Sequence, residues 1–524
     1  MLDRDLHSKV PWTAGSHRHA ASTFHTNLEA SAPLIADHAR RVNLVKDREE
    51  RAEIGQFLTP LPVATLMASM FEKLPESVRL LDPGAGSGAL TAAFVAEMVN
   101  RAQRPRHIDA TCYEIDPDQR VRLQATLDGC RAMAHLAGIA FTASVNAENF
   151  IRAGAVAAKL EFGCRYDAVI MNPPYRKIGT ASAERQALRS IGIETVNLYT
   201  GFMAIACKLL DDGGQLVVIT PRSFCNGPYY RPFRQAFLAA MSLRRIHVFG
   251  SRSAAFGDDA VLQENIITAA VRESKPGQGQ VIISESEAVC SPRSRTIRHD
   301  VVVRANDPEL FIHIQTNADA DQVSGFFTAL PLRMADLGLS VSTGPVVDFR
   351  LRDDLCNRPG THLVPLYWPG NCRNGASAHP ILGKKPQWIR KSPSSQRWLS
   401  PNERFVLIKR FSSKEERRRV VAVVHDPASV DGPFIAMENH LNFIHRNGHG
   451  LPPDLAAGIA AYLNSGLVDV YFRQFNGHTQ VNATDLRALP FPASHELELL
   501  GRQTHHQVTD PVPGDNLIRR LAQA

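Results

Sequence analysis

Leu81-Asp82-Pro83-Gly84-Ala85-Gly86-Ser87-Gly88 is an apolar run closed by an acid, a proline and three alternating glycines. Residues 78–82 read as a buried strand, and helical periodicity runs over about 88–100. A glycine turn joining a strand to a helix lets backbone approach a ligand that side chains would otherwise block. Glycine spacing by itself does not choose the ligand; its place at the first strand-to-helix turn narrows the choice.

Working outward, short apolar runs alternate with helical stretches. Strands are expected at 78–82, 108–114, 139–145, 166–171, 215–220, 245–250 and 262–271, with helices at about 88–100, 117–136, 198–210 and 231–241. Such alternation implies βαβ units and a mostly parallel sheet covered on both faces. The last strands lack an obvious linking helix, so an antiparallel edge strand is expected there. Upstream, Leu28 to Glu50 has helical periodicity and leads through Gly55-Gln56-Phe57-Leu58-Thr59-Pro60 into a helix over about 62–74. Past about residue 275 the rhythm breaks, and short strand-like pieces at 281–284, 404–408 and 420–425 have no regular helical partner. The chain therefore divides into a flexible leader (1–25), a catalytic α/β domain (26–275), a connecting region (276–329) and an irregular α+β domain (330–524).

Length supports this division, because 524 residues exceed what one hydrophobic core organises. No apolar run approaches the ~20 residues needed to span a bilayer, and the charged N-terminus argues against a signal peptide. Eight scattered cysteines form no CxxC pair, so neither a zinc site nor a disulfide framework is expected and a reducing cytoplasm fits. Five early histidines (His7, His17, His19, His25, His38) lack ligand spacing. The net charge of +7 suits a polyanionic partner without establishing one. Between Lys384 and Arg419 stand twelve Lys/Arg against three Glu, a local excess larger than that of the whole chain. A solvated basic face and a nucleic-acid surface both account for it.

Two further stretches carry chemistry. Tyr113-Glu114-Ile115-Asp116 closes the second strand, with Glu114 26 residues past Gly88, where a carboxylate can accept from both hydroxyls of a ribose. Asp82 makes the glycine turn acidic, which suits a cationic ligand better than a pyrophosphate. The fourth strand ends in Met171-Asn172-Pro173-Pro174-Tyr175. Consecutive prolines remove two backbone donors and fix φ, leaving the carbonyls of Asn172 and Pro173 as acceptors at the ligand-binding edge of the sheet. A ring-conjugated amine is a poor nucleophile. Two acceptors, the Asn172 side chain and the Pro173 carbonyl, can hold both its N–H bonds and stabilise the positive charge that develops on attack.

Asp82 to Gly88 resembles motif I of class I methyltransferases, which implies S-adenosylmethionine as cofactor. The whole order resembles adenine-N6 DNA methyltransferases of the gamma motif order, the TaqI-like modification methylases of restriction–modification systems. Gln56 to Pro60 looks like motif X, implying contact of Phe57, Thr59 and Pro60 with the methionine end of the cofactor. Gly84, Gly86 and Gly88 belong to motif I, and Glu114 and Ile115 to motif II, with Ile115 against the cofactor adenine. Motif III presents an acid followed by an aromatic; here Asn149 takes the acid's place and Phe150 is expected to stack. Asn197-Leu198-Tyr199 resembles motif V and Leu216 to Pro221 motif VI. Tyr175 would stack on the flipped target base, with Phe256 the candidate aromatic on its other face. Gly477 to Leu486 resembles the end of a target-recognition domain. The resemblance thus implies a Rossmann-like class I domain followed by a DNA-reading α+β domain, with double-stranded DNA as substrate and a separate cognate restriction endonuclease as partner. No metal and no membrane are implied. With only about 55 residues before motif X and no clear metal-binding carboxylate constellation downstream, modification without cleavage is the expectation.

Overall fold

A computed structural model of the chain describes residues 59–160, 165–249, 264–286, 293–316, 319–330, 332–373, 375–412, 416–477 and 479–505. The candidates Phe57 and Phe256, the leader and the helix expected over Leu28 to Glu50 lie outside the described residues.

The first half is built as α1 (Leu61–Ala68), β1 (Ser77–Pro83), α2 (Ala89–Asn100), β2 (His107–Tyr113), α3 (Pro117–Leu136), β3 (Ala140–Asn146), α4 (Phe150–Leu160) and β4 (Tyr166–Met171). It continues through α5 (Ala183–Arg189), α6 (Leu198–Leu209), β5 (Leu210–Pro221), α7 (Arg231–Leu238), β6 (Met241–Phe249), β7 (Asn265–Arg272), β8 (Gln280–Ser286) and β9 (Arg293–Arg298). Local chemistry sets these ends. Asp116 caps α3 by accepting from the amides of Asp118 and Gln119, and Pro117 opens the helix where its missing N–H costs nothing.

All nine strands form one sheet, ordered β3-β2-β1-β4-β5-β7-β6-β8-β9. The run from β3 to β5 is parallel. Alternate β4 residues feed opposite faces: Ala168 and Ile170 join the core of α1 to α3, whereas Val169 and Met171 join that of α4, α6 and α7. Strand order reverses between β1 and β4, and that reversal opens a crevice at their carboxyl ends. The glycine turn follows β1 and Asn172 follows β4, so the topology seats the two decisive stretches side by side.

The structure changes several expectations. Of the strands expected from the sequence the antiparallel one, β7, is interior, lying between β5 and β6 and antiparallel to both, and the antiparallel edge strand is β9, paired to β8. Strands β8 and β9 extend the same sheet through residues assigned from the sequence to a connecting region. The helix expected over 62–74 ends at Ala68. Helix α4 was not expected. Its alanines and Gly154 form a close-packing face, where a Cβ on Gly154 would lie 2.6 Å from Ile205, and small residues weaken an apolar-periodicity signal.

After β9 comes α8 (Asp319–Ala329), then a six-stranded and a five-stranded sheet. The six-stranded sheet contains β10 (Ser340–Thr343), β11 (Phe405–Lys409), β12 (Ala422–His425) and β13 (Leu441–His445). Helices α9 (Pro453–Leu463), α10 (Gly466–Phe475), α11 (Ala483–Arg487) and α12 (Ser494–His505) follow. Among the described residues no single helix is long and apolar enough to cross a membrane.

Candidate active site

The turn after β1 is held from the neighbouring strand. The amides of Gly84 and Ala85 both donate to the Tyr113 carbonyl, at 2.8 and 2.9 Å. Gly86 has φ +56°, and a Cβ there would have no neighbour within 4 Å. Its open side leaves room for a ligand. Gly88, at φ +88°, instead abuts α3: a Cβ would lie 2.8 Å from Leu123.

Glu114 is nearly buried and already braces this turn. Its Oε2 accepts from Gly86 N and its Oε1 from Asp116 N, both at 2.8 Å. Burial raises its pKa against those two bonds. Ile115, next in sequence, is 57% exposed, an apolar side chain displayed at the crevice rim.

Asp82 lies beneath the turn with no exposed surface. Thr91 donates to its Oδ2 at 2.7 Å, while Oδ1 has no partner among the described residues. Burial pushes this carboxyl up to about 7, opposed by its bonds from Thr91. A buried, partnerless acceptor under an open glycine turn suits a ligand carrying an ammonium and a sulfonium. The donor set and the space at Gly86 thus fit the expected cofactor.

Asn149 precedes α4. Its Oδ1 accepts from Arg152 N, and its Nδ2 donates to Glu184 Oε1 on α5, both at 3.3 Å. Phe150 departs from expectation. As the first residue of α4 it turns into the core, 3% exposed, edge-on to Tyr113 at 5.2 Å and tilted against Phe202 at 5.0 Å. Phe202, on α6, is the ring that meets the turn, 3.7 Å from where a Gly84 Cβ would stand. Phe202 is itself buried in the same core as Phe150.

At the end of β4, Asn172 is fixed from both ends. Its Nδ2 donates to Thr59 Oγ1 at 3.0 Å, and its Oδ1 accepts from the Tyr175 hydroxyl at 3.0 Å. The same hydroxyl lies 3.3 Å from the Ile219 carbonyl of β5. Burial holds the Tyr175 phenol above its ordinary range. Pro173 is buried and Pro174 half-buried. Pro60 is the N-cap residue of α1, which brings Thr59 to Asn172.

Tyr175 opens onto a cavity of about 710 Å³ between the two halves of the chain. Tyr199, Tyr229 and Tyr230 line one side, and Arg419, Arg473 and Gln480 the other. Tyr199 stands edge-on to Tyr175 at 6.2 Å. Tyr229 is 75% exposed, and sequence reasoning passed over it although it follows a Gly-Pro turn. Asn197, which opens α6, donates to the Tyr230 hydroxyl.

Arg222 ties the halves together: its guanidinium donates to the carbonyls of Arg473 and Gln474 at 2.8 and 2.7 Å and pairs with Glu264. Gly477 lies flat on the Arg222 stem, where a Cβ would fall 2.6 Å from Cγ. Asp485, fully buried, accepts from Asn226, Asn476 and Asn482. The segment from Gly477 to Leu486 therefore closes onto the loop after β5.

The family model of the Eco57I restriction-modification methylase matches residues 135–256. Over 505 residues the chain is 38% identical to the type II methyltransferase M.PstI of Providencia stuartii, covering 95% of this chain and 99% of that protein. Over 461 residues it is 40% identical to the type II methyltransferase M.BsuBI of Bacillus subtilis, covering 87% and 90%. Among solved structures, a cryoEM DrdV–DNA complex aligns with TM-score 0.48 and 11% identity over 87% of this chain and 57% of that one.

Proposed function

Because the chain belongs to the family of type II restriction–modification methyltransferases and its methyl donor is S-adenosylmethionine, we propose that it methylates the exocyclic N6 amine of an adenine flipped out of double-stranded DNA. The observation that carries this reading is the seating of Asn172 to Tyr175 at the carboxyl end of β4, beside the glycine turn after β1, with Tyr175 lining the cavity and bonded to Asn172.

Bound in the crevice, the cofactor supplies an electrophilic methyl group. Glu114 would accept from its ribose, Ile115 would cover a face of its adenine, and Asp82 would offer negative charge beneath the turn. On the substrate side, Asn172 Oδ1 and the Pro173 carbonyl accept the two N–H bonds of the target amine. Thr59 and Tyr175 hold the Asn172 amide in one orientation, so its dipole is aimed before charge develops. The tyrosines of the cavity provide faces for an unstacked base. Exposed cations of the C-terminal domain, Lys384, Lys385, Arg390 and Lys391 among them, contact DNA phosphates. A separate restriction endonuclease reading the same sequence is the partner this role implies.

The test is transfer of labelled methyl groups into duplex DNA, with N6-methyladenine identified after digestion. Asn172→Ala is expected to abolish transfer while leaving cofactor binding intact. N4-methylcytosine as product, or transfer only to RNA or protein, would overturn the reading.

A further inference from the structure

The amine of an adenine ring donates two N–H bonds, and a pocket that selects adenine needs an acceptor there. The crevice rim beyond Ile115 is built by the end of β3, since Glu114 N donates to the Asn146 carbonyl at 3.0 Å. Asn149 follows on that rim, but its oxygen is engaged by Arg152 N at the start of α4. Its nitrogen points to Glu184 at 3.3 Å. An amide in this orientation presents a donor to the ring amine. The carboxylate that arrives at the rim comes from α5.

Helix α5 is firmly placed to deliver it. Ser182 caps it by accepting from Arg185 N at 3.2 Å, and Arg185 pairs with Glu194. Leu188 is fully buried against Gly201 of α6, where a Cβ would lie 3.0 Å from its Cδ1. Both Asn149 and Glu184 are half-buried, partly shielded from water.

We propose that Glu184 is the acceptor that grips the N6 amine of the cofactor's adenine, with Asn149 as the positioning residue that orients its carboxylate. The acid the rim lacks at position 149 is thus supplied from across the crevice. This deepens the cofactor placement given above and rests on it. The alternative is that Glu184 serves only as a first-turn acid on α5, stabilising the helix end.

Calorimetric titration of the full chain with S-adenosylhomocysteine and with S-inosylhomocysteine, in which a carbonyl replaces the amine, separates these roles. The wild-type chain should favour the adenosyl ligand. Glu184→Gln, whose amide can donate to the carbonyl, should weaken the adenosyl ligand about tenfold and shift the preference toward the inosyl ligand by at least as much. Equal weakening of both ligands, or none, would overturn the proposal. Glu114→Ala should weaken both ligands together. If it changes neither, the cofactor placement itself has failed; if it weakens both while Glu184→Gln keeps the wild-type preference, only the Glu184 assignment falls.

Discussion

At the end of β4 the Tyr175 hydroxyl lies within reach of both Asn172 Oδ1 and the Ile219 carbonyl, so its ring is anchored by its polar end while one side faces the cavity. Tyr175→Phe keeps the ring but removes the bond that orients Asn172. The turnover rate is expected to fall about tenfold with little change in KM for DNA, measured by steady-state methyl transfer. Asp82 makes a pH prediction. Its folded pKa of about 7 lies above the ordinary carboxylate value, so near mildly acidic pH the folded chain holds a proton that the unfolded chain releases. That contribution to stability is present at low pH and is lost as pH rises through about 7. Cofactor binding runs the other way, because the ionised carboxylate attracts a cation. Affinity for S-adenosylmethionine should therefore rise with pH and level off above neutrality, and Asp82→Asn should flatten the curve in calorimetric titrations.

Among the elements, close backbone approach decides two helix contacts. Gly154 lets α4 lie against α6, which sets Phe150 in the core and Asn149 at the crevice rim. Helices α9 and α12 cross backbone to backbone: a Cβ on Gly458 would lie 1.7 Å from the Leu497 carbonyl oxygen, and one on Gly501 1.9 Å from that of Asp454. No side-chain rotation relieves such an overlap. Gly458→Ala should destabilise the chain by at least about 2 kcal/mol, read as a lowered urea midpoint, because the helices must separate and leave packing unmade. Both glycines are visible in the sequence. Their partners are not, since the contacts join residues 39 and 47 positions apart.

For the molecule as a whole, the cavity exists because the C-terminal half of the chain folds back onto the N-terminal half. Arg222, Gly477 and Asp485 make that junction, and it carries Arg419, Arg473 and Gln480 to the side of the cavity opposite Tyr175. The basic run resolves into two uses. Arg419 is buried and donates to Asn476 and to the Ser412 carbonyl, whereas Lys384, Lys385, Arg390 and Lys391 are exposed. Replacing those four exposed cations with glutamine should lower the magnitude of the slope of log affinity for duplex DNA against log salt by about 3.6, measured by fluorescence anisotropy, with cofactor affinity unchanged.

The alternation of strands and helices, the glycine turn, the acid after β2 and the Asn-Pro-Pro-Tyr corner were legible because each is a local pattern: periodicity, turn chemistry and proline geometry act over a few residues. These patterns determined the α/β architecture and nominated Asp82, Glu114 and Asn172. The seating of β7 inside the sheet, the turn of Phe150 into the core, the meeting of Glu184 with Asn149, and the closure of Gly477 onto Arg222 were decided only by tertiary structure. Each depends on which distant surfaces have room to meet, and steric fit between segments far apart in the chain leaves no periodic trace in either one.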